Sequence, residues 1–254
     1  MTPGEMLEQA GWDTFWVPSD VTVTDRPDLL QLSCPRGTLY LNSVLRTRAA
    51  PEALPALIAE AETRFSGRRA RWCVPDTVDP RPLEAALEAA GWDAASDYEV
   101  RAVAVASWTR PSLLEVRAVD SMARLLDCYA VSDAAFGRVV AWTDEEREKD
   151  LWQCTEGGRV HRFVAYDGGR PVASGGLTAF PALGFGLLWA GGTLPDARGR
   201  GAYLSVLAAR IERARALGLT TVGLNAKADT SGPIVARLGF GHFGRMTTWE
   251  RSVP

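Results

Sequence analysis

The stretch from Phe185 to Leu217 constrains the fold more than any other. Phe185-Gly-Leu-Leu-Trp189 is an apolar run that reads as a strand, and the residues from Pro195 to Gly201 include Arg198, Gly199, Arg200 and Gly201. Beyond them Leu204, Leu207, Ala208, Ile211 and Ala214 recur at three- and four-residue spacing, one apolar face of a helix that Gly218 is placed to end. A strand, a basic glycine-rich turn and a helix together make an anion cradle. Glycines allow a turn tight enough to aim successive N–H groups at one point. The helix start adds unpaired N–H groups and the positive end of its dipole. Arg198 and Arg200 add full charges.

Two common phosphate loops are excluded. No Gly-Lys-Ser or Gly-Lys-Thr closes the turn, and a Gly-x-Gly-x-x-Gly fingerprint starting at Gly199 would need a glycine where Leu204 stands. Arg198-Gly-Arg-Gly-Ala-Tyr203 instead resembles the coenzyme A pyrophosphate loop of the GNAT acetyltransferases, Gln/Arg-x-x-Gly-x-Gly/Ala, and departs from it at Tyr203. Downstream, 219–225 reads as a strand, Ser231–Leu238 as a short helix, and Met246–Arg251 as a last strand; Leu238-Gly-Phe240 matches the Leu-Gly-Phe that closes many such domains. This resemblance covers the C-terminal half. It implies an α/β (α+β) GNAT fold: a central mixed, mostly antiparallel sheet with splayed central strands, flanked by helices.

The first half carries an echo of the second. Strands are expected at Thr14–Val17, Leu29–Ser33 and Thr38–Leu45, a helix over Pro51–Phe65, a strand at Arg71–Val74, a helix from Asp79-Pro80 to Gly91, and a strand over Tyr98–Ala106. Strand, helix, strand, short helix, Gly-aromatic, strand thus occurs in both Leu39–Ala106 and Leu187–Arg251. The first copy has Arg46-Thr-Arg-Ala-Ala-Pro51 between its strand and helix, with no glycine. Residues 1–107 therefore read as a degenerate GNAT-like domain without a pyrophosphate loop, or as an unrelated small α/β domain. Trp108–Pro111 reads as a linker and 112–254 as the acetyl-CoA-binding domain. Within it a strand is expected at Leu113–Val119, then a helix capped by Ser121 with Met122, Leu125, Leu126 and Tyr129 on one face. Residues 132–157 read as irregular apart from a helix at Thr143–Gln153, started by the capping box Thr143…Glu146. A hairpin turns at Asp167-Gly-Gly169.

The resemblance also implies site roles. Thr193 and Leu194 would offer backbone groups to the pantetheine arm, and Asn225 would bind that arm or serve a turn. Arg198, Gly199, Arg200, Gly201, Ala202 and Tyr203 would cradle the pyrophosphate. Gly191 and Gly192 stand where the family's central strand bulges. The proton-transfer residues depart from the family. Many relatives carry a Glu on this strand, yet Phe185–Pro195 has no titratable residue. Asp133, Asp144, Glu145 and His161 are candidate bases, or surface and capping residues. Val235 and Ala228 replace the usual Tyr and Asn, leaving Ser231 as the candidate catalytic hydroxyl for the departing thiol, or as a helix cap.

The expected protein is an acyl-CoA-dependent N-acyltransferase, moving acetyl from acetyl-CoA to a primary amine of a small molecule by direct attack in a ternary complex. A donor other than CoA (aminoacyl-tRNA or carrier-protein thioester) and a non-catalytic acyl-CoA sensor are the alternatives. A net charge of −3 argues against a nucleic-acid partner. No apolar run approaches 18 residues, and Met1-Thr-Pro-Gly-Glu5 lacks a signal pattern, so a cytoplasmic protein without membrane contact is expected. The four cysteines have no paired spacing and only His161 and His242 are available, so no metal is expected. A homodimer is compatible with a degenerate half, which in tandem relatives shapes the cleft or an oligomer contact. Trp12, Trp16, Trp142, Trp152 and Trp189 would line an acceptor cleft or fill the core.

Overall fold

A computed structural model describes all residues except 37, 66, 138–141 and 253–254. The chain opens with a helix absent from the expectation, α1 (Pro3–Gly11). Its signal is short but legible: the Thr2 hydroxyl accepts the Glu5 N–H, the Glu5 carboxylate accepts the Thr2 N–H at 2.7 Å, and Pro3 opens the first turn. Thr14–Val17 is not a strand. Asp13 accepts the Phe15 N–H and the Val17 N–H reaches the Thr14 carbonyl, so the segment turns. Strands β1 (Thr22–Arg26) and β2 (Leu29–Ser33) come next. Thr38–Leu45 is strand only at its end: a 3-10 turn at Leu39–Leu41 precedes β3 (Ser43–Thr47), because the Asn42 side chain holds the turn through the Cys34 and Thr38 carbonyls.

The remaining elements are α2 (Leu54–Phe65), β4 (Arg69–Pro75), α3 (Arg81–Ala89), β5 (Asp93–Ala104), β6 (Glu115–Ala118), α4 (Met122–Phe136) and α5 (Asp144–Thr155). They continue with β7 (Val160–Asp167), β8 (Arg170–Phe180), β9 (Phe185–Thr193), α6 (Ala202–Ala216), β10 (Thr221–Lys227), α7 (Ser231–Arg237) and β11 (Gly241–Ser252). Two details differ from expectation. Helix α4 runs through 132–136, which composition makes look irregular, and its Leu126 is exposed rather than on the buried face. Ser121 stands at the N-cap without a side-chain bond. Residues 138–141, part of the same expected irregular stretch, lie outside the described residues. The capping box of α5 is formed as its spacing predicts, with the Thr143 N–H to Glu146 at 2.9 Å.

The chain folds as two compact units that are not contiguous halves. One contains residues 1–101 and 225–254. Its strands run in the order β1-β2-β3-β4-β11-β5, with β3 and β4 parallel and β11 antiparallel to β4 from Met246↔Pro75 to Ser252↔Arg69. The last strand of the chain thus completes the sheet begun by its first. The apolar face of α2 (Leu57, Ile58, Ala61 and Phe65) packs there with Leu87, Trp249 and the edge-to-face pair Trp72 and Trp92. Full burial of each such side chain contributes about 1.5–3 kcal/mol.

The other unit contains residues 102–224. Its sheet runs β10-β9-β8-β7-β6, with β9–β10 parallel and the other pairs antiparallel. The β7–β8 hairpin turns on Gly168 and Gly169, whose φ of 57° and 84° suit the mirror-image turn that matches strand twist. Alternate residues of β7 face opposite helices: Phe163 and Ala165 meet Ala202 and Val206 of α6, while Val164 and Tyr166 meet Leu125, Cys128 and Tyr129 of α4. Helix α6 ends at Gly218 (φ 71°), with the Leu219 N–H on the Ala214 carbonyl and the Gly218 N–H on the Arg215 carbonyl, so the expected stop forms. No described helix is long and apolar enough to cross a membrane.

Candidate active site

Strand β9 of the 102–224 unit is interrupted. Ser174 pairs with Gly192 and Gly176 with Trp189, so Ala190 and Gly191 stand opposite Gly175 alone. This bulge lies one residue before the expected Gly191-Gly192. Ala190 has φ 47° and is the only residue other than glycine with positive φ among the described residues. The glycines serve close packing here. A Cβ at Gly176 would overlap the Trp189 ring, one at Gly191 would come within 2.9 Å of Tyr203, and one at Gly192 within 2.8 Å of Ala135. On the other side of β9, parallel pairing with β10 covers Phe185–Leu187 against Thr221–Gly223. The pairing ends at Leu187.

After β9 the chain makes a 3-10 turn at Pro195–Ala197 and reaches the basic loop. The Leu194 N–H donates to the Val172 carbonyl at 2.9 Å, and the Leu194 carbonyl accepts from Ala197. The Thr193 hydroxyl is buried without a partner. The free donors begin further on. None of the backbone N–H groups from Gly199 to Leu204 has an acceptor among the described residues, and Gly199 (φ 74°) and Gly201 (φ 80°) take the left-handed geometry that a run of convergent N–H groups requires. Ser205, fully buried, secures the turn: its hydroxyl donates to the Gly201 carbonyl and accepts the Leu113 and Leu114 N–H groups, each at 3.0 Å. Arg198 is exposed and makes no ion pair among the described residues, whereas Arg200 pairs with Asp167.

The two faces of this sheet differ chemically. On the α6 face, His161 is buried, its Nε2 has no partner, and burial, with Arg213 nearby, pushes its pKa down to about 4. It faces away from α4 and α5. On the α4 face Arg162 reaches Asp150 of α5 at 2.5 Å and 3.2 Å, and the Tyr129 hydroxyl donates to the same carboxylate at 2.6 Å. The Arg162 guanidinium also stacks on Trp189 at 4.5 Å, and Tyr129 stacks on Trp142 at 5.2 Å. Burial opposes the Arg162 charge and Asp150 more than restores it; burial and Asp150 both raise the Tyr129 hydroxyl. Sequence reasoning missed this cluster, because a salt bridge between a strand and a helix twelve residues away leaves no local pattern.

The other sequence candidates scatter. Asp144 and Glu145 are exposed in the first turn of α5, where they serve the helix start, and Asp144 binds Arg147. Asp133 is half-buried on α4. Trp16 and Trp152 are exposed and Trp12 lies under Arg46 and Arg48, so of the five tryptophans only Trp142 and Trp189 join the α4-face cluster. Ser231 and Asn225 belong to the 1–101/225–254 unit. Ser231 is the first residue of α7, Thr230 stands at its cap, and no side-chain bond of Ser231 occurs among the described residues; the capping reading of Ser231 does not hold. The Asn225 side-chain oxygen is buried without a partner. Val235, in the usual tyrosine position, is core.

Comparison with known proteins fits this geometry. Residues 121–240 match the model of the Acetyltransferase (GNAT) family. Among solved structures, a GCN5-related N-acetyltransferase from Kribbella flavida is similar over 98% of this chain and 95% of its own, with a TM-score of 0.74 and 18% identity. A tandem GNAT protein from the clavulanic acid biosynthesis pathway covers 98% of this chain and 88% of its own, at 0.63 and 16%. A GCN5-related N-acetyltransferase from Sphaerobacter thermophilus covers 89% and 81%, at 0.62 and 17%. No curated protein sequence matches the chain. Residues 121–240 thus match the Acetyltransferase (GNAT) family model, and over nearly the whole chain the fold is that of the solved GNAT structures, a tandem GNAT fold.

Proposed function

We propose that the protein is an N-acetyltransferase that takes its acyl group from acetyl-CoA and passes it to the primary amine of a small molecule. The observation that carries this reading is the uninterrupted run of free N–H groups from Gly199 to Leu204, flanked by the unpaired Arg198. Such a run, which extends the free N–H groups of a helix start back into a turn with two left-handed glycines, fits a pyrophosphate. Residues 112–254 carry this donor site in our reading, and residues 1–107 are a degenerate copy.

The chain's own residues account for part of the chemistry. The cradle and β9 hold and orient the donor, so attack by the amine becomes a step within one complex. No side chain of β9 can take up a proton. The amine is therefore deprotonated by water or by a group outside β9, and positioning contributes most of the rate. Ser231 and Asn225 stand as the candidates toward the thiol and the pantetheine arm. The absence of basic stripes favours a small acceptor over a polymer, and the composition fits a cytoplasmic protein without membrane contact. A second reading, a non-catalytic acyl-CoA sensor, draws on Val235 in place of the family's tyrosine.

Calorimetric titration with acetyl-CoA tests the proposal. Micromolar binding to the wild type, weakened about tenfold to a hundredfold in Arg198→Ala/Arg200→Ala with unchanged thermal unfolding, is the expected result. An absence of binding by the wild type would remove both readings. Binding without turnover of any amine in a broad library would favour the sensor.

A further inference from the structure

Helix α6 buries an arginine that the donor cradle does not use. Arg210 is 1% exposed, and among the described residues no carboxylate approaches it. Its Nε donates to the Val206 carbonyl at 3.3 Å. One terminal nitrogen donates to the Gly176 carbonyl at 3.3 Å and reaches that of Trp189 at 3.5 Å, the two residues that pair immediately before the bulge. The other terminal nitrogen has no partner and lies 3.2 Å from where a Cβ on Gly191 would stand. Tyr203 is its aromatic neighbour, 6.0 Å from ring centre to guanidinium, and its hydroxyl partly offsets the cost of burying the Arg210 charge. Gly175 and Gly191 are both glycine where the guanidinium passes, since a Cβ on Gly175 would meet it at 3.0 Å.

A buried charge without a counter-charge is costly to keep, and a leucine or methionine would fill the same space without that cost. Its place under the bulge of β9 calls for a use that needs positive charge. We infer that Arg210 is a positioning residue for acyl transfer. It anchors the Gly176 and Trp189 carbonyls beside the bulge, and it supplies a fixed positive potential beneath Ala190–Gly192, where negative charge develops as the thioester is attacked. In a water-poor interior such a charge acts with little screening and needs no reorganisation during the reaction. The inference rests on the acetyltransferase reading for its catalytic half and on the structure alone for its bulge-holding half.

The test compares Arg210→Lys, Arg210→Gln and Arg210→Met. Lysine keeps the charge, glutamine keeps a hydrogen-bond donor without charge, and methionine is an apolar side chain that keeps the comparison open if glutamine does not fold in this buried place. The expected result is a kcat within about fivefold of wild type for lysine and a loss of about thirtyfold or more for glutamine and methionine, with the dissociation constant for acetyl-CoA changed less than about threefold throughout. Unchanged kcat in the neutral variants, or equal losses in all three, would overturn the electrostatic role. Amide hydrogen exchange over residues 188–192 in protein without acetyl-CoA reads the other half independently of any activity. Exchange at least tenfold faster in Arg210→Met than in wild type supports the holding role, and unchanged exchange removes it. A wild type that fails to bind acetyl-CoA would strike the acetyltransferase reading while leaving this exchange result to be judged by itself.

Discussion

The two units each contain a strand, a turn and a helix that begin alike and end differently. Strand β3 pairs in parallel with β4 through Ser43↔Arg71 and Val44↔Trp72, as β9 pairs with β10 through three residues. In both, the parallel ladder is short. Strand β9 leads into a turn of glycines and arginines whose N–H groups are free. Strand β3 leads into Arg48-Ala-Ala-Pro51-Glu-Ala-Leu-Pro55. Pro51 and Pro55 have no N–H, those of Ala53 and Leu54 donate to Ala50 and Pro51, and Glu52 sets a negative charge where an anion would sit. The end of β3 is tied down as well: the buried indole of Trp72 donates to the Thr47 hydroxyl at 2.9 Å and packs edge-on against Trp92. In our reading, a unit of this kind can keep the short parallel ladder and lose the anion cradle. The ladder belongs to the sheet, whereas the cradle depends on a few residues that leave backbone donors unpaired.

The largest test of this contrast replaces Arg198-Gly-Arg-Gly201 with Arg-Ala-Ala-Ala, giving the second turn the character of the first. Alanine at Gly199 and Gly201 meets positive φ, at about 1–2 kcal/mol each. A Cβ on Gly201 would also lie 2.6 Å from Leu113. We expect acetyl-CoA affinity to fall more than about a hundredfold and denaturant stability of the 102–224 unit to fall by about 2–4 kcal/mol. Retained affinity in a calorimetric titration would show that the contrast between the turns has no functional meaning.

A smaller effect is expected from Thr47→Val. It leaves the Trp72 indole N–H without its acceptor in a dry core, at about 1–3 kcal/mol by urea titration. Because this end of β3 holds no ligand in our account, acetyl-CoA affinity should stay within about twofold of wild type. A larger change would give the N-terminal unit a part in donor binding.

The smallest effect is a difference in acid sensitivity. Folding depresses the His161 pKa to about 4 from the ordinary value of 6.5, so the neutral form is the one the native state favours. The unfolded chain then binds more protons between those values. The stability linked to His161 is fully present above about pH 6.5 and is lost as pH falls toward about 4. Amide exchange compared at about pH 7 and about pH 5, corrected for the intrinsic rate, should show protection in β7 and β8 falling with acid in the wild type and falling less in His161→Gln. Equal acid sensitivity in the two proteins would sink the assignment.

How much of this is legible in advance depends on how local the cause is. The α6 stop at Gly218, the α5 capping box and the Gly168-Gly169 turn each arise from residues within a few positions of one another, and each forms as the sequence predicts. The Thr2…Glu5 capping box is equally local, yet the Trp, Val and Thr residues just beyond it point to strands, because such residues favour the extended chain without enforcing it. The bulge takes in Ala190 and Gly191, one residue earlier than the expected Gly191-Gly192. Gly191 and Gly192 answer to the Tyr203 and Ala135 side chains packed over them, which no short window of sequence brings together.

By itself, then, the sequence determined most of the strands and helices beyond Leu29 and the place of the glycine-arginine turn. Glycine torsions, proline's missing N–H and helix periodicity are properties of short segments and act wherever the segment lies. Only the tertiary structure decided that β11 pairs with β4, that Arg162 meets Asp150, Tyr129 and Trp189, that His161 faces α6, and that Arg210 lies under the bulge. Each of these depends on which distant residues become neighbours once apolar faces are buried, and burial is what turns a charge, a hydroxyl or an imidazole into a group with a changed pKa or an unmet hydrogen bond.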